Sequence, residues 1–206
     1  MAVINEYRQT LQPLIIAEAE KLFRQRGIKS VTMEEISKTL HISKRTIYEL
    51  YTNKENILIE VLQVVHDRKK RHMEEFVKHC DNVMDILIEV LRQQMESSIT
   101  THSNFFSDLA KYPKAEELLA KFQDAQREDS YDFFERGVRE GYFLSTIDFH
   151  TFMLILSAMH LVLRNHNTLK KITFQELLHN YICILMRGIC TQKGIVKFDE
   201  FLEQTQ

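Results

Sequence analysis

The chain has 206 residues and is 44% hydrophobic, enough for a sizeable core in one or two domains. Two prolines and five glycines leave most helices free to run uninterrupted, strand-like alternation is hard to find, and the expected class is all-α. Net charge is only -2, but residues 1–54 carry nine Lys/Arg against six Asp/Glu, net +3, while the remainder carries eighteen against twenty-three, net -5.

Several classes are set aside at once. Cys80, Cys183 and Cys190 are an odd, scattered set with no C-x-x-C, so no disulfide framework is expected and a reduced, cytoplasmic compartment fits best. The opening MAVINEYRQTLQP lacks the long apolar core of a signal peptide. The most apolar region, Phe149 to Leu163, is short for a membrane span and is broken by His150, Ser157 and His160. No Gly-rich phosphate loop, H-E-x-x-H or G-x-S-x-G occurs, so no catalytic residue, metal or cofactor is expected and the chain does not read as an enzyme. His72, His79 and Cys80 share a helical stretch, and they read as solvated residues.

A first helix is predicted from about Thr10 to Arg26, with Ile15, Ile16, Ala19, Leu22 and Phe23 as its apolar stripe, Pro13 in its first turn and Gly27 as its stop. Thr32 to Lys54, TMEEISKTLHISKRTIYELYTNK, then predicts two short helices, a tight turn between them, and the start of a further helix. Thr32 and Glu35 have the spacing of a capping box, Ser43 can cap the next helix, and Ile42 with Ile47 has the spacing of a hydrophobic staple. Ile36, Leu40, Ile42, Ile47 and Leu50 would form a small shared core, and Asn53 can cap the helix that follows. This is the plan of a helix-turn-helix, whose second helix enters the DNA major groove. That helix carries Lys44, Arg45, Thr46 and Tyr48, residue types that contact phosphates and base edges. Lys44, Arg45 and Thr46 are expected nearest the bases, Thr32, Tyr48, Tyr51 and Lys54 mainly on phosphates, and Ser43 completes the contact set. Lys54 stands at a helix start, where the dipole disfavours a cation and a phosphate neighbour would explain it.

Further helices are predicted from Lys54 to about Cys80, Val83 to Thr100, Phe105 to Tyr112 and Lys114 to Glu140, with Pro113 and Gly141 as stops. The run Arg68 to Arg71 reads as a solvated face. Phe149–Leu163 and Ile172–Ile189 are apolar around more than one stripe. Terminal helices in so small a body cannot both be central, so each is expected to bury its surplus against a second copy of the chain. Ile155, Met159, Val162, Leu177, Tyr181 and Leu185 are the candidate interface residues. The tail FDEFLEQ is a short amphipathic turn or helix without an assigned role.

The stretch IIAEAEKLFRQRGIKSVTMEEISKTLHISKRTIYELYTNKENIL resembles the N-terminal domain of TetR-type (TetR/AcrR) transcriptional regulators. The matching pieces are the apolar first helix ending LFRQRG, the T-M-x-x-I-S helix, the I-S-K-x-T-I-Y recognition helix and the Y-x-x-K-E-x-I-L entry to the fourth helix, over roughly Leu14 to Leu62. A second segment, GVREGYFLSTID, resembles the family's junction between its seventh and eighth helices. One departure stands in the helix-turn-helix turn, where the family usually has Gly and this chain has His41; the turn often needs positive φ, which His tolerates better than most residues. The resemblance implies a three-helix DNA-binding domain over residues 1–54 and a larger helical ligand-binding and dimerisation domain over 55–206. It also implies a homodimer on a near-palindromic double-stranded operator, and a pocket for a small-molecule effector enclosed by the fifth to eighth helices. Met95, Phe105, Phe106, Phe122, Tyr131, Phe134 and His160 are the candidate lining residues, suited to an apolar or cationic effector. The expected function is a repressor released by that effector, with no membrane association; the alternative is a DNA-binding adaptor that answers to a partner protein.

Overall fold

The computed structural model describes residues 2–125, 127–164 and 174–205. Its first helix, α1 (Ala2–Arg26), begins earlier than the expected Thr10 and keeps Pro13 in its interior. Proline's fixed φ is compatible with the helix, and Pro13 removes one backbone donor from its ladder. Leu11, Ile15, Ala19 and Leu22, with Ile16 and Phe23 beside them, fall at helical spacing and are buried. The helix stops at Gly27, whose φ of 78° few other residues adopt and whose N–H returns to Phe23 O at 3.0 Å.

Two short helices follow, α2 (Met33–Thr39) and α3 (Lys44–Leu50), then the long α4 (Lys54–Val77). They surround a core of Ile28, Val31, Met33, Ile36, Ile47, Ile57, Leu58 and Val61, against which Leu40, Ile42 and Leu50 pack. Neither short helix would persist alone at seven residues; each is held by its apolar face.

The chain groups into two packed units. The first takes in residues up to Lys69 together with Thr100–Phe122. That later segment holds α6 (Phe105–Leu109) and most of α7 (Pro113–Ala125), so the first unit is built from more than the N-terminal stretch. Pro113 opens α7, its missing donor costing nothing in a first turn. Packing within the first unit continues past residue 54, along α4 to Lys69.

The second unit holds residues 70–99 and 123–206. It includes nearly all of α5 (Val83–Thr100), with α8 (Arg127–Arg139), α9 (Phe149–Arg164), α10 (Phe174–Ile189) and α11 (Gln192–Thr205). The long helix expected over 114–140 is described as α7 and α8, with residue 126 outside the described residues. The unassigned tail is α11, and its Phe198 and Phe201 are buried in this unit's core with Val83, Met84, Phe134, Phe143 and Met186. Two glycines organise the turn after α8. Gly141 takes φ 76°, and a Cβ on Gly137 would stand 2.0 Å from the Phe143 ring. The chain thus folds back closely enough for Leu144 N–H to reach Ile189 O and Thr191 N–H to reach Tyr142 O, both at 2.9 Å, around an isolated bridge between Phe143 and Cys190.

Candidate nucleic-acid interface

The interface is positioned by caps. Thr32 Oγ1 accepts the Glu35 N–H at 3.1 Å and Ser43 Oγ accepts the Thr46 N–H at 3.0 Å, so α2 and α3 each begin where the cap residues foretell. The Glu35 carboxylate reaches Arg26 rather than completing a reciprocal box, which ties α2 back to the end of α1. Asn53 Oδ1 accepts the Asn56 N–H at 3.0 Å and caps α4. Between α2 and α3, His41 takes φ 54°, the left-handed conformation expected of that position. Ile42 and Ile47 pack in the same core, as a staple requires.

With Ile47 buried, much of the remaining surface of α3 is open. Lys44, Arg45 and Tyr48 are exposed on it, and Thr46 is half-buried with its hydroxyl 2.8 Å from Ser43 Oγ. Lys44 pairs with Glu34, and Arg45 Nε donates to Glu49 at 2.7 Å, a contact that also raises the guanidinium pKa. Solvent-exposed pairs of this kind are weak, so an incoming phosphate or base can replace the carboxylate. Thr32 is exposed at the start of α2.

Two members of the expected contact set face inward. Tyr51 is 2% exposed, and its phenol donates to Glu60 at 2.6 Å. Burial, then that carboxylate, pushes its pKa up, and its one donor is already engaged and not offered to a phosphate. Lys54 turns back under the α1–α2 loop, where its ammonium donates to the carbonyls of Ile28 and Val31 at 2.7 Å and of Lys29 at 3.3 Å. Desolvation lowers its pKa, opposed by the charge of Asp108. This explains a cation at a helix start without a phosphate: its partners are loop carbonyls that would otherwise lack it as a donor. Asp108 itself, on α6, accepts the Lys29 N–H at 2.8 Å, and no local sequence pattern marks it.

The candidate effector residues fall in both units. In the first, Phe105 and Phe106 meet edge to face at 5.4 Å, and Phe122 stacks on His66 at 3.7 Å. In the second, Phe134 lies in an aromatic group with Phe143 and Phe149, Met95 packs on the same core, and the exposed Tyr131 sets its ring edge-on to Phe149 at 5.6 Å. Of the candidate interface residues, Ile155 is 51% exposed, and it is flanked by Leu154 at 66%. Ile184 on α10, outside the candidate interface set, is 73% exposed and precedes the half-buried Leu185. Tyr181 instead faces this chain's own core, its hydroxyl 3.4 Å from Leu156 O and its pKa pushed up to about 12 by burial. The side chains of Met159, His160, Val162 and Leu177 lie outside the described residues. His72 pairs with the buried Glu89 at 2.9 Å, and no metal-holding group of three His, Cys, Asp or Glu occurs among the described residues.

Residues 15–61 match the family model for bacterial regulatory proteins of the tetR family. Over 198 residues, 93% of this chain and 96% of the relative, the sequence is 22% identical to the HTH-type transcriptional repressor KstR2 of Mycobacterium tuberculosis. The structure of that ketosteroid regulator aligns with a TM-score of 0.54 at 18% identity, covering 88% of this chain and 95% of the other. A transcriptional regulator from Saccharomonospora viridis, solved in complex with choline, aligns with a TM-score of 0.69 at 18% identity over 89% of this chain and all of the other. At these identities the structural likeness establishes the fold.

The Lys54 geometry has a measurable consequence. Lys54→Met should lower unfolding stability by about 1–3 kcal/mol, because the carbonyls it serves lose their donor. The check is the denaturant midpoint, measured beside the salt dependence of DNA binding. The salt slope should hold, and a fall of about one would put Lys54 on a phosphate after all.

Proposed function

We propose that this chain, which belongs to the tetR family of bacterial regulatory proteins and is a DNA-binding transcriptional regulator rather than an enzyme, works as a homodimeric repressor that a small-molecule effector releases from a near-palindromic operator. The carrying observation is the surface of α3: a capped helix whose buried side is anchored by Ile47 and whose free side offers Lys44, Arg45, Thr46 and Tyr48 together. In this reading residues 1–54 do the DNA reading and 55–206 the effector binding and dimerisation. Lys44, Arg45 and Thr46 meet base edges in the major groove, while Thr32, Ser43 and Tyr48 hold phosphates.

Dimerisation is supported by Leu154, Ile155 and Ile184, apolar side chains left largely exposed on α9 and α10. An isologous pairing of these helices would bury them and give the two recognition helices the two-fold relation that a palindrome requires. The effector reading is supported by the aromatic group around Phe134, Phe143 and Phe149, and by the choline bound to the similar Saccharomonospora viridis regulator. Aromatic faces suit apolar groups and organic cations alike. Such a ligand changes DNA affinity only through unequal binding to two arrangements of the body, and α4, which contributes residues to both units, is a continuous path for that change.

Arg45→Ala should weaken binding to a duplex selected from a random library by about tenfold or more and relax preference at one position of the site. Unchanged affinity and unchanged preference in that variant would end the recognition-helix assignment. The unmodified protein should sediment as a dimer at micromolar concentration, and Ile155→Glu should shift it toward monomer by placing a charge in an apolar interface. A monomeric unmodified protein overturns the dimer. Calorimetric titration of choline, and of effectors found by thermal shift, should give weaker binding in the presence of the operator than in its absence, by the same factor of about 5–150 by which the effector weakens operator binding. Equal affinities would favour an adaptor that answers to a partner protein.

A further inference from the structure

The loop between α1 and α2 meets a carboxylate from outside the stretch that matches the family model. Gly27 opens the loop at φ 78°, and a Cβ there would lie 3.2 Å from Asp108 Oδ2. Asp108 lies on α6 and is 5% exposed. Its Oδ2 accepts the Lys29 N–H at 2.8 Å, and its Oδ1 accepts from Lys111 Nζ at 2.8 Å. The same segment makes a second bond to the end of α1, where His102 N–H donates to Arg24 O at 2.7 Å. From the other side, Lys54 Nζ takes the carbonyls of Ile28, Lys29 and Val31. The loop is thus held by a carboxylate on an amide and an ammonium on carbonyls, and Thr32, the cap of α2, follows directly.

We propose that Asp108 is a positioning residue for DNA recognition: by fixing the Lys29 amide at the closely packed Gly27 turn, it sets where α2 begins and, through the core that α2 shares with α3, where the recognition helix stands. The charge matters as well as the bond. Burial alone would raise the Asp108 pKa, but the Lys111 ammonium and the Lys29 amide outweigh it and hold the carboxyl below its ordinary value. Asp108 therefore stays ionised, and its charge opposes the desolvation of Lys54.

The inference rests on α3 being the recognition helix, so the test reads the loop and the DNA separately. Hydrogen exchange at the Lys29 amide is measured without DNA in the full-length protein, in Asp108→Ala and in Asp108→Asn; affinity for the selected duplex is measured for the same three proteins and for Arg45→Ala. Asp108→Ala should speed Lys29 exchange by about tenfold and weaken duplex binding by about five- to tenfold, with the salt slope unchanged, since a buried donor loses its acceptor but no phosphate contact is lost. Asp108→Asn, which keeps an acceptor oxygen, should restore most of the Lys29 protection. Exchange that rises equally at Lys29, Ile36, Ile47 and Leu58 would mean general destabilisation and overturns the positioning role. So does duplex affinity that is unchanged in Asp108→Ala, whatever Arg45→Ala does. Unchanged affinity in Arg45→Ala alone overturns only the recognition-helix assignment.

Discussion

The loop between α1 and α2 relies on other elements to satisfy its backbone. It leaves α1 through a left-handed glycine and enters α2 through a threonine cap, and between them the carbonyls of Ile28, Lys29 and Val31 and the amide of Lys29 find their partners on α4 and α6. Buried backbone groups without partners cost about as much as a lost hydrogen bond each. A cation from the first turn of α4 and a carboxylate from α6 meet that need. The orientation of α2 and α3 depends on how this short stretch is held, because neither seven-residue helix has length enough to hold itself.

Lys54 shows how one residue type admits two readings. A cation at a helix start opposes the dipole, which invites a phosphate as explanation. The dipole penalty is small and screened, whereas three carbonyl contacts in a partly desolvated site are not. The larger effect decides the residue's place. Tyr51 follows the same logic: an aromatic ring just past the end of a short helix gains more by closing the core than by standing in water, and Glu60 receives its hydroxyl.

The second unit depends on close approach of backbone at two glycines. Phe143 rests on Gly137 where any side chain would collide, and Gly194 brings α11 against Tyr142 O, where a Cβ would stand 2.6 Å away. These contacts seat Phe198 and Phe201 and make the C-terminal helix part of the core. With those surfaces spent inward, Leu154, Ile155 and Ile184 on α9 and α10 are the apolar side chains that this unit leaves most open to a second molecule among the described residues of those helices.

What the sequence determined by itself is what acts over three to five residues. The caps at Thr32, Ser43 and Asn53, the shared core of Ile42 and Ile47 and the bounds of α5 are legible, since each depends on neighbours in the chain, and the positive φ at His41 follows from the family resemblance. The tertiary structure alone decided which way Tyr51 and Lys54 face, that Asp108 serves a loop 79 residues earlier, that the segment 100–122 packs with the N-terminal helices, and that the tail belongs to a core. The aromatic residues that the family resemblance groups as one lining are divided between two units for the same reason. Spacing along a helix tells which residues share a face; it does not tell which distant element will cover that face, because that choice is made by packing between segments far apart in the chain.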